Sequence, residues 1–121
     1  MQSGEVVICD YVNFSGETKR GLFIVLYDEQ YDATNNTTLN FIAIKITTKL
    51  NMVGNYTVYL DVDENPFFKA PCLASCGKIH TMHKNQIKYH LGKLSSNSFK
   101  KVYIGVSKFL SELNRQMINN V

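Results

Sequence analysis

The chain has 121 residues, 45% of them hydrophobic and 12% aromatic, which fits one folded domain over residues 1–121 and excludes a disordered or fibrous protein. Its longest apolar run, Leu22 to Tyr27, is far short of the roughly 18 residues that span a bilayer, and the first residues lack a signal-peptide pattern, so the expectation is a soluble, cytoplasmic protein with no membrane contact. The net charge of +3 conceals a split: residues 1–66 carry four basic and nine acidic side chains and residues 67–121 nine basic and one acidic, a contrast that points to an anionic partner for one face.

In chain order, Glu5–Val12 (EVVICDYV) is a β-branched run that predicts the first strand. Asn13–Lys19 is polar, with Ser15-Gly16 as a turn signal, and reads as a loop. Gly21–Tyr27 (GLFIVLY) is apolar throughout, as a strand covered on both faces should be. Residues 28–37 are rich in Asp, Asn and Thr and predict a long connection to a third strand over Thr38–Thr47. A fourth strand, Asn55–Val62, alternates Tyr56, Val58, Leu60 and Val62 on one side with Thr57, Tyr59 and Asp61 on the other. Ala70–Ile79 predicts a fifth strand, Lys84–Ile87 a single helical turn and Lys88–Leu94 a sixth strand. From Phe99 the apolar positions Val102, Tyr103, Val106, Leu110, Leu113 and Met117 recur at helical spacing, with Ser96 or Ser98 able to cap the start and Asn119-Asn120 the end. Strands followed by one amphipathic helix define a mainly β, α+β domain: a small, strongly bent antiparallel sheet or partly closed barrel packed on that helix.

Cys9, Cys72 and Cys76 are odd in number and lack framework spacing, as expected in a reducing compartment. Cys72, Cys76, His80 and His83 fall within twelve residues, which raises a metal site. Structural zinc sites, however, space paired cysteines by two residues and add a separated second pair. This cluster instead lies in an apolar, strand-like segment whose alternate side chains face opposite ways. The expectation is buried, inert thiols and neither metal nor cofactor. Glycine-rich phosphate loops and the His-Glu-x-x-His pattern are also missing from the sequence.

Basic and hydroxyl side chains recur at the predicted strand ends. Lys19 and Arg20 precede the second strand, Thr47, Thr48 and Lys49 end the third, and Lys78, His80, Thr81, His83 and Lys84 follow the fifth. If these ends converge, they form a cationic, hydroxyl-rich pocket suited to a phosphodiester. Phe14, Phe67 and Phe68 fit the stacking of unpaired bases, although Phe67 and Phe68 fit core or dimer packing better.

The order of these pieces carries more. Gly4-Glu5-Val6-Val7, Cys9-Asp10-Tyr11, Lys19-Arg20, Ile44-Lys45-Ile46-Thr47-Thr48, Lys78-Ile79-His80-Thr81-Met82-His83-Lys84 and Leu91-Gly92-Lys93-Leu94-Ser95 follow one another along nearly the whole chain. The series resembles the MazF/PemK family of type II toxin–antitoxin toxins, which are sequence-specific, metal-independent endoribonucleases. The resemblance implies a small SH3-like (CcdB/PemK-like) barrel with a C-terminal helix, and a two-fold homodimer. It implies cleavage of single-stranded RNA in a groove at the dimer interface, gated by the loop Asn13–Lys19. A cognate antitoxin would inhibit by laying an acidic tail over that surface, and DNA would be met only through an antitoxin complex. The family's catalytic arginine matches Arg20 and its catalytic threonine or serine matches Thr47, with Thr48 adjacent. Asn13, Phe14, Lys19 and Lys49 would contact RNA, and Glu17, Lys78 and His80 are further catalytic or RNA-contacting positions. The family usually has proline after the arginine; this chain has Gly21, which implies a looser or differently hydrogen-bonded mooring for Arg20.

Metal-free RNA cleavage uses the ribose 2′-hydroxyl as nucleophile and yields a 2′,3′-cyclic phosphate and a 5′-hydroxyl. Arg20 would neutralise the non-bridging oxygens with planar donors, and Thr47 would add a hydrogen bond to them. Neither is an obvious general base; His80 and His83 are the imidazole candidates and Glu17 the carboxylate candidate, but each histidine fits a solvated strand end better, and the base stays unassigned. Two competing readings stand beside the ribonuclease. One is a catalytically silent binding module of the same fold acting on a protein or nucleic acid; the other is a metal-binding domain built on Cys72, Cys76, His80 and His83. Gyrase fits poorly as a partner, because the gyrase-poisoning relatives use a C-terminal tryptophan and this chain has none.

Overall fold

The computed structural model describes residues 1–29 and 39–121. In chain order these form β1 (Glu5–Val12), β2 (Thr18–Asp28), β3 (Asn40–Thr47), β4 (Thr57–Leu60), β5 (Cys72–His83), a 3-10 turn (Lys84–Gln86), β6 (Ile87–Lys93) and α1 (Ser96–Asn119). All strand pairs are antiparallel, in the order β4-β5-β3-β2-β1-β6. The sheet is strongly bent but not closed, with β4 and β6 as its edges. Its ladders shift register at Val6/Val7 and Ile8/Cys9 of β1, at Val25/Tyr27 of β2 and at Ile44/Lys45 of β3. Such bulges sharpen the local twist, and they accompany the bend.

Two cores lie on the two faces of the sheet, which is why β1 and β2 read as nearly continuous apolar runs. Val6, Ile24, Ile44, Leu60 and Cys76 pack under Val102 of the helix. Val7, Cys9, Phe23, Val25, Phe41 and Met82 make the second core. Phe23, Ile24 and Val25 are all fully buried, as expected of a strand covered on both sides. The alternation in the fourth strand also holds: Tyr56, Val58, Leu60 and Val62 join the helix-side core, and Tyr59 is exposed. Phe68 is buried in that core and Phe67 packs against it, so both rings are structural rather than base platforms.

Strand limits differ where it matters for the site. Lys19 and Arg20, expected in a loop end, are strand residues paired with Tyr11 and Asp10 of β1. The fifth strand does not stop at Ile79 but continues to His83. Of the predicted connection over residues 28–37, positions 30–37 lie outside the described residues.

The helix is capped by Ser95, not by Ser96 or Ser98: its Oγ accepts from the Ser98 N–H at 3.1 Å. The row that meets the sheet is Phe99, Val102, Gly105, Val106 and Phe109. A Cβ at Gly105 would stand 2.7 Å from Cys76 Sγ, so only glycine permits this approach. Of the predicted stripe, Val102 and Val106 face the sheet, whereas Tyr103, Leu110, Leu113 and Met117 are exposed. No helix among the described residues is long and apolar enough to cross a membrane.

All three cysteines are buried as free thiols. Burial pushes Cys9 and Cys76 up to about 11, with the Asp10 charge adding to the effect at Cys9, and burial also raises Cys72. The four residues considered for a metal site do not converge. Cys72 and Cys76 enter the helix-side core, His80 packs edge-on against Phe23 of the other core, and His83 caps the 3-10 turn. Since the thiolate is the reactive species, a thiol reagent should leave the folded protein untouched and label all three cysteines in denaturant. Rapid labelling in native buffer would contradict the burial.

Candidate functional site

The end of β1, the start of β2 and the end of β3 meet at one margin of the sheet because their ladders are antiparallel. A groove of about 430 Å³ opens there, lined by Arg20, Thr47, Thr48, Lys49 and Lys78 as the sequence suggested, and also by Tyr11, Lys45 and Ser75. The β2–β3 ladder ends at Leu22 and Ile46, which leaves Arg20 and Thr47 just beyond it, where their polar groups meet solvent. Four cations line this groove, and among the described residues no carboxylate does. Three of the four, Arg20, Lys45 and Lys49, come from the half of the sequence whose net charge is negative. The charge of a sequence half therefore does not by itself locate this groove.

Arg20 is moored by Asp10, which faces it across β1 and β2: Nε donates to Oδ1 at 3.0 Å. The Lys88 ammonium lies 3.5 Å from the other Asp10 oxygen, and the Tyr89 ring is 5.9 Å from the guanidinium carbon. The Arg20 hydrogen bond, reinforced by Lys88, holds the Asp10 carboxyl below the usual carboxylate range, so it stays ionised at neutral pH. Thr47 Oγ1 accepts from the Lys49 N–H at 3.1 Å, which leaves the hydroxyl proton available to a ligand.

The Gly21 departure has a visible cause. A Cβ at this position would stand 2.9 Å from Tyr11 Cε1, so the Tyr11 ring occupies the space that any larger residue would take. The ring is braced edge-on by Phe23, with centroids 5.6 Å apart, and its hydroxyl accepts from Lys45 Nζ at 2.5 Å.

Lys45 and Ser75 were not singled out by sequence, because a lysine and a serine in apolar strands look like ordinary surface positions. Their placement follows from the β3–β5 ladder. Ile44 pairs with Ile79 but Lys45 pairs with Ser75, so residues 76–78 bulge and Ser75 and Lys78 both line the groove. Gly77, inside the bulge, was the available signal, since glycine within a strand often marks one.

Several candidates stand apart. Glu17 and Lys19 pair with each other at 3.6 Å and line no part of the groove. Asn13 Oδ1 accepts from the N–H groups of Ser15 and Glu17, both at 3.0 Å, and so shapes the loop; Phe14 at its tip is fully exposed. His80, Thr81, His83 and Lys84 do not join the site, because Asn40 pairs with His83 whereas Thr47 pairs with Leu73. The end of β5 therefore lies roughly 23 Å along the sheet from the groove end of β3. There His83 Nδ1 accepts from the Asn85 N–H at 3.0 Å, and Lys84 pairs with Asp28 at 2.8 Å.

His80 is half-buried rather than solvated, and burial, then the charges of Lys45 and Lys78, lowers its pKa. The unfolded chain therefore takes up this proton first, near pH 6.5. The stability linked to a neutral His80 is complete above that pH and is lost as pH falls toward the lower folded value. Thermal midpoints measured from about pH 8 to about pH 5 should fall less steeply for His80→Gln than for the parent protein. Parallel slopes would remove His80 from the pH dependence.

A bent, open antiparallel sheet with a C-terminal helix and a cationic, hydroxyl-bearing groove at one margin defines a small SH3-like domain. The chain belongs to the PemK-like, MazF-like toxins of type II toxin–antitoxin systems, whose family model matches residues 2–110. Among solved structures, an endoribonuclease in complex with its cognate antitoxin from a mycobacterial species superposes with a TM-score of 0.66 at 15% identity, covering 92% of this chain and 95% of that one. A further mycobacterial endoribonuclease also reaches 0.66, at 17% identity, over 92% of this chain and 91% of its own. The MazE–MazF structure from Deinococcus radiodurans gives 0.67 at 15% identity, over 92% and 96%. At these identities the likeness is one of fold. No curated protein matches the chain significantly in sequence.

Proposed function

We propose that this toxin cuts single-stranded RNA, sequence-specifically and without a metal, by attack of the ribose 2′-hydroxyl on the adjacent phosphodiester. The groove carries the reading. A phosphodiester entering it meets the Arg20 guanidinium, the Thr47 and Thr48 hydroxyls and the ammonium groups of Lys49 and Lys78, with no lining carboxylate among the described residues to repel it. Arg20 and Thr47 would hold the non-bridging oxygens as negative charge grows on them. The solved endoribonucleases of like fold support the same activity here.

The same cations suit the acidic tail of a cognate antitoxin, in keeping with the antitoxin complexes among the structural neighbours. The reading includes a homodimer, for which Tyr103, Leu110, Leu113 and Met117 on α1 offer an exposed apolar row, and a cytoplasmic location, where messenger RNA is met. A silent binding module is the second reading, and one observation favours it: Arg20 is already paired with Asp10.

The test is incubation with mixed-sequence single-stranded RNA in excess chelator. Fragments ending in 2′,3′-cyclic phosphate and beginning with 5′-hydroxyl are expected, and Thr47→Ala should slow their formation. RNA left intact would refute the nuclease, and tight binding without cleavage would establish the silent module.

A further inference from the structure

We propose that Tyr11, backed by Lys45, is the general acid that protonates the departing 5′-oxygen. This rests on the ribonuclease reading of the groove and assigns it a residue for the second half of the reaction.

The phenol has a defined place. Gly21 leaves room for the ring, Phe23 braces its edge, and the hydroxyl meets Lys45 Nζ at 2.5 Å, with both Tyr11 and Lys45 lining the same groove as Arg20 and Thr47. An ammonium has only donors, so in this pair the phenol oxygen accepts and its own proton remains available to a ligand. After that proton leaves, the phenolate stands against a positive charge, which stabilises the product of the transfer.

The other lining groups suit other tasks. Arg20 keeps its protons at any working pH and serves as a fixed charge. His80 lines no part of the groove, and neither does Glu17. Thr48, Lys49 and Lys78 are all exposed or at the rim, where hydration competes with directed proton transfer, whereas Lys45 is half-buried. A tyrosine and a lysine in hydrogen-bond contact are the one such acid pair among the described lining residues.

The step balances as follows. The 2′-oxygen forms a bond to phosphorus and loses its proton to water, and the bond from phosphorus to the 5′-oxygen breaks. That oxygen takes the Tyr11 proton, and the phenolate is reprotonated from water while Lys45 keeps its charge. Nothing is oxidised or reduced.

A leaving-group substitution tests the assignment. The cut site is first mapped in a mixed RNA, then synthesised with either oxygen or sulfur at the bridging 5′ position. A thiolate departs without a proton, so only the oxygen substrate needs the acid. Tyr11→Phe keeps the ring over Gly21 and should lose about 10²–10³-fold on the oxygen substrate, yet cut the sulfur substrate at close to the parent rate. Lys45→Gln should show the same preference for sulfur. Equal losses on both substrates would reduce the pair to a packing or phosphate-holding role, and undiminished cleavage of the oxygen substrate by Tyr11→Phe would exclude it from the chemistry. A parent protein that cuts neither substrate overturns the nuclease reading itself, a result distinct from either.

Discussion

Arg20→Ala is expected to lower RNA cleavage about 10³-fold while leaving the folded protein nearly as stable as before. The large effect follows from where charge develops. In the proposed reaction the non-bridging oxygens gain negative charge as the 2′-oxygen attacks, and a guanidinium already oriented at the groove would stabilise it without reorganising. The small effect on stability follows from exposure. The Arg20 side chain is 54% exposed, and its partner Asp10 is 30% exposed, so the ion pair is a surface pair of the kind that contributes little to folding. Arg20→Lys should recover only part of the rate, because a point charge does not reproduce the planar fork. Single-turnover cleavage and a thermal melt on the same preparations check both halves. A loss smaller than tenfold with the fold intact would displace Arg20 from the chemistry.

The largest loss of stability is expected from Asn65→Ala, at about 3 kcal/mol in denaturant titration. Asn65 is fully buried, and its side chain ties the turn after β4 to the start of α1. Its Nδ2 donates to the Asp61 carbonyl and to Ser98 Oγ, each at 2.9 Å, and its Oδ1 accepts from the Ser95 N–H at 2.9 Å. Ser95 is the helix cap and Ser98 lies in the first turn, so this one amide sets where α1 begins relative to β4. Alanine would leave buried donors and acceptors unpaired and a void beside them, costs that add. Ser98→Ala, which removes a single partner, should cost about 1 kcal/mol. Similar losses for the two variants would show that Asn65 does not act as a hub.

Both residues illustrate what can be read in a chain before it folds. Arg20 was legible because its neighbours in sequence, Lys19 before it and an apolar strand after it, recur in order in a known family. Asn65 was not, since Asp-Glu-Asn-Pro reads as an ordinary turn and nothing local reveals which distant groups will close on it. His80 shows the converse error. A histidine after an apolar run reads as a strand end, but β5 continues past it, and its pairing with Ala43 carries it away from the groove.

Local pattern by itself determined the elements. The period of two in β4, the β-branched run of β1, the apolar stretch Gly21–Tyr27 within β2 and the helical spacing after Phe99 each reflect a burial geometry that a short segment must satisfy. The positions of Arg20 and Thr47 were legible too, and both line one groove. Only the tertiary structure decided which strand ends share a margin, which row of α1 meets the sheet, and that Lys45, Ser75 and Tyr11 belong beside Arg20. The reason is that register and bulges are set by pairing between distant segments. A shift such as the one between Ile44 and Lys45 moves Ser75 and Lys78 to the groove while changing nothing in the local sequence pattern.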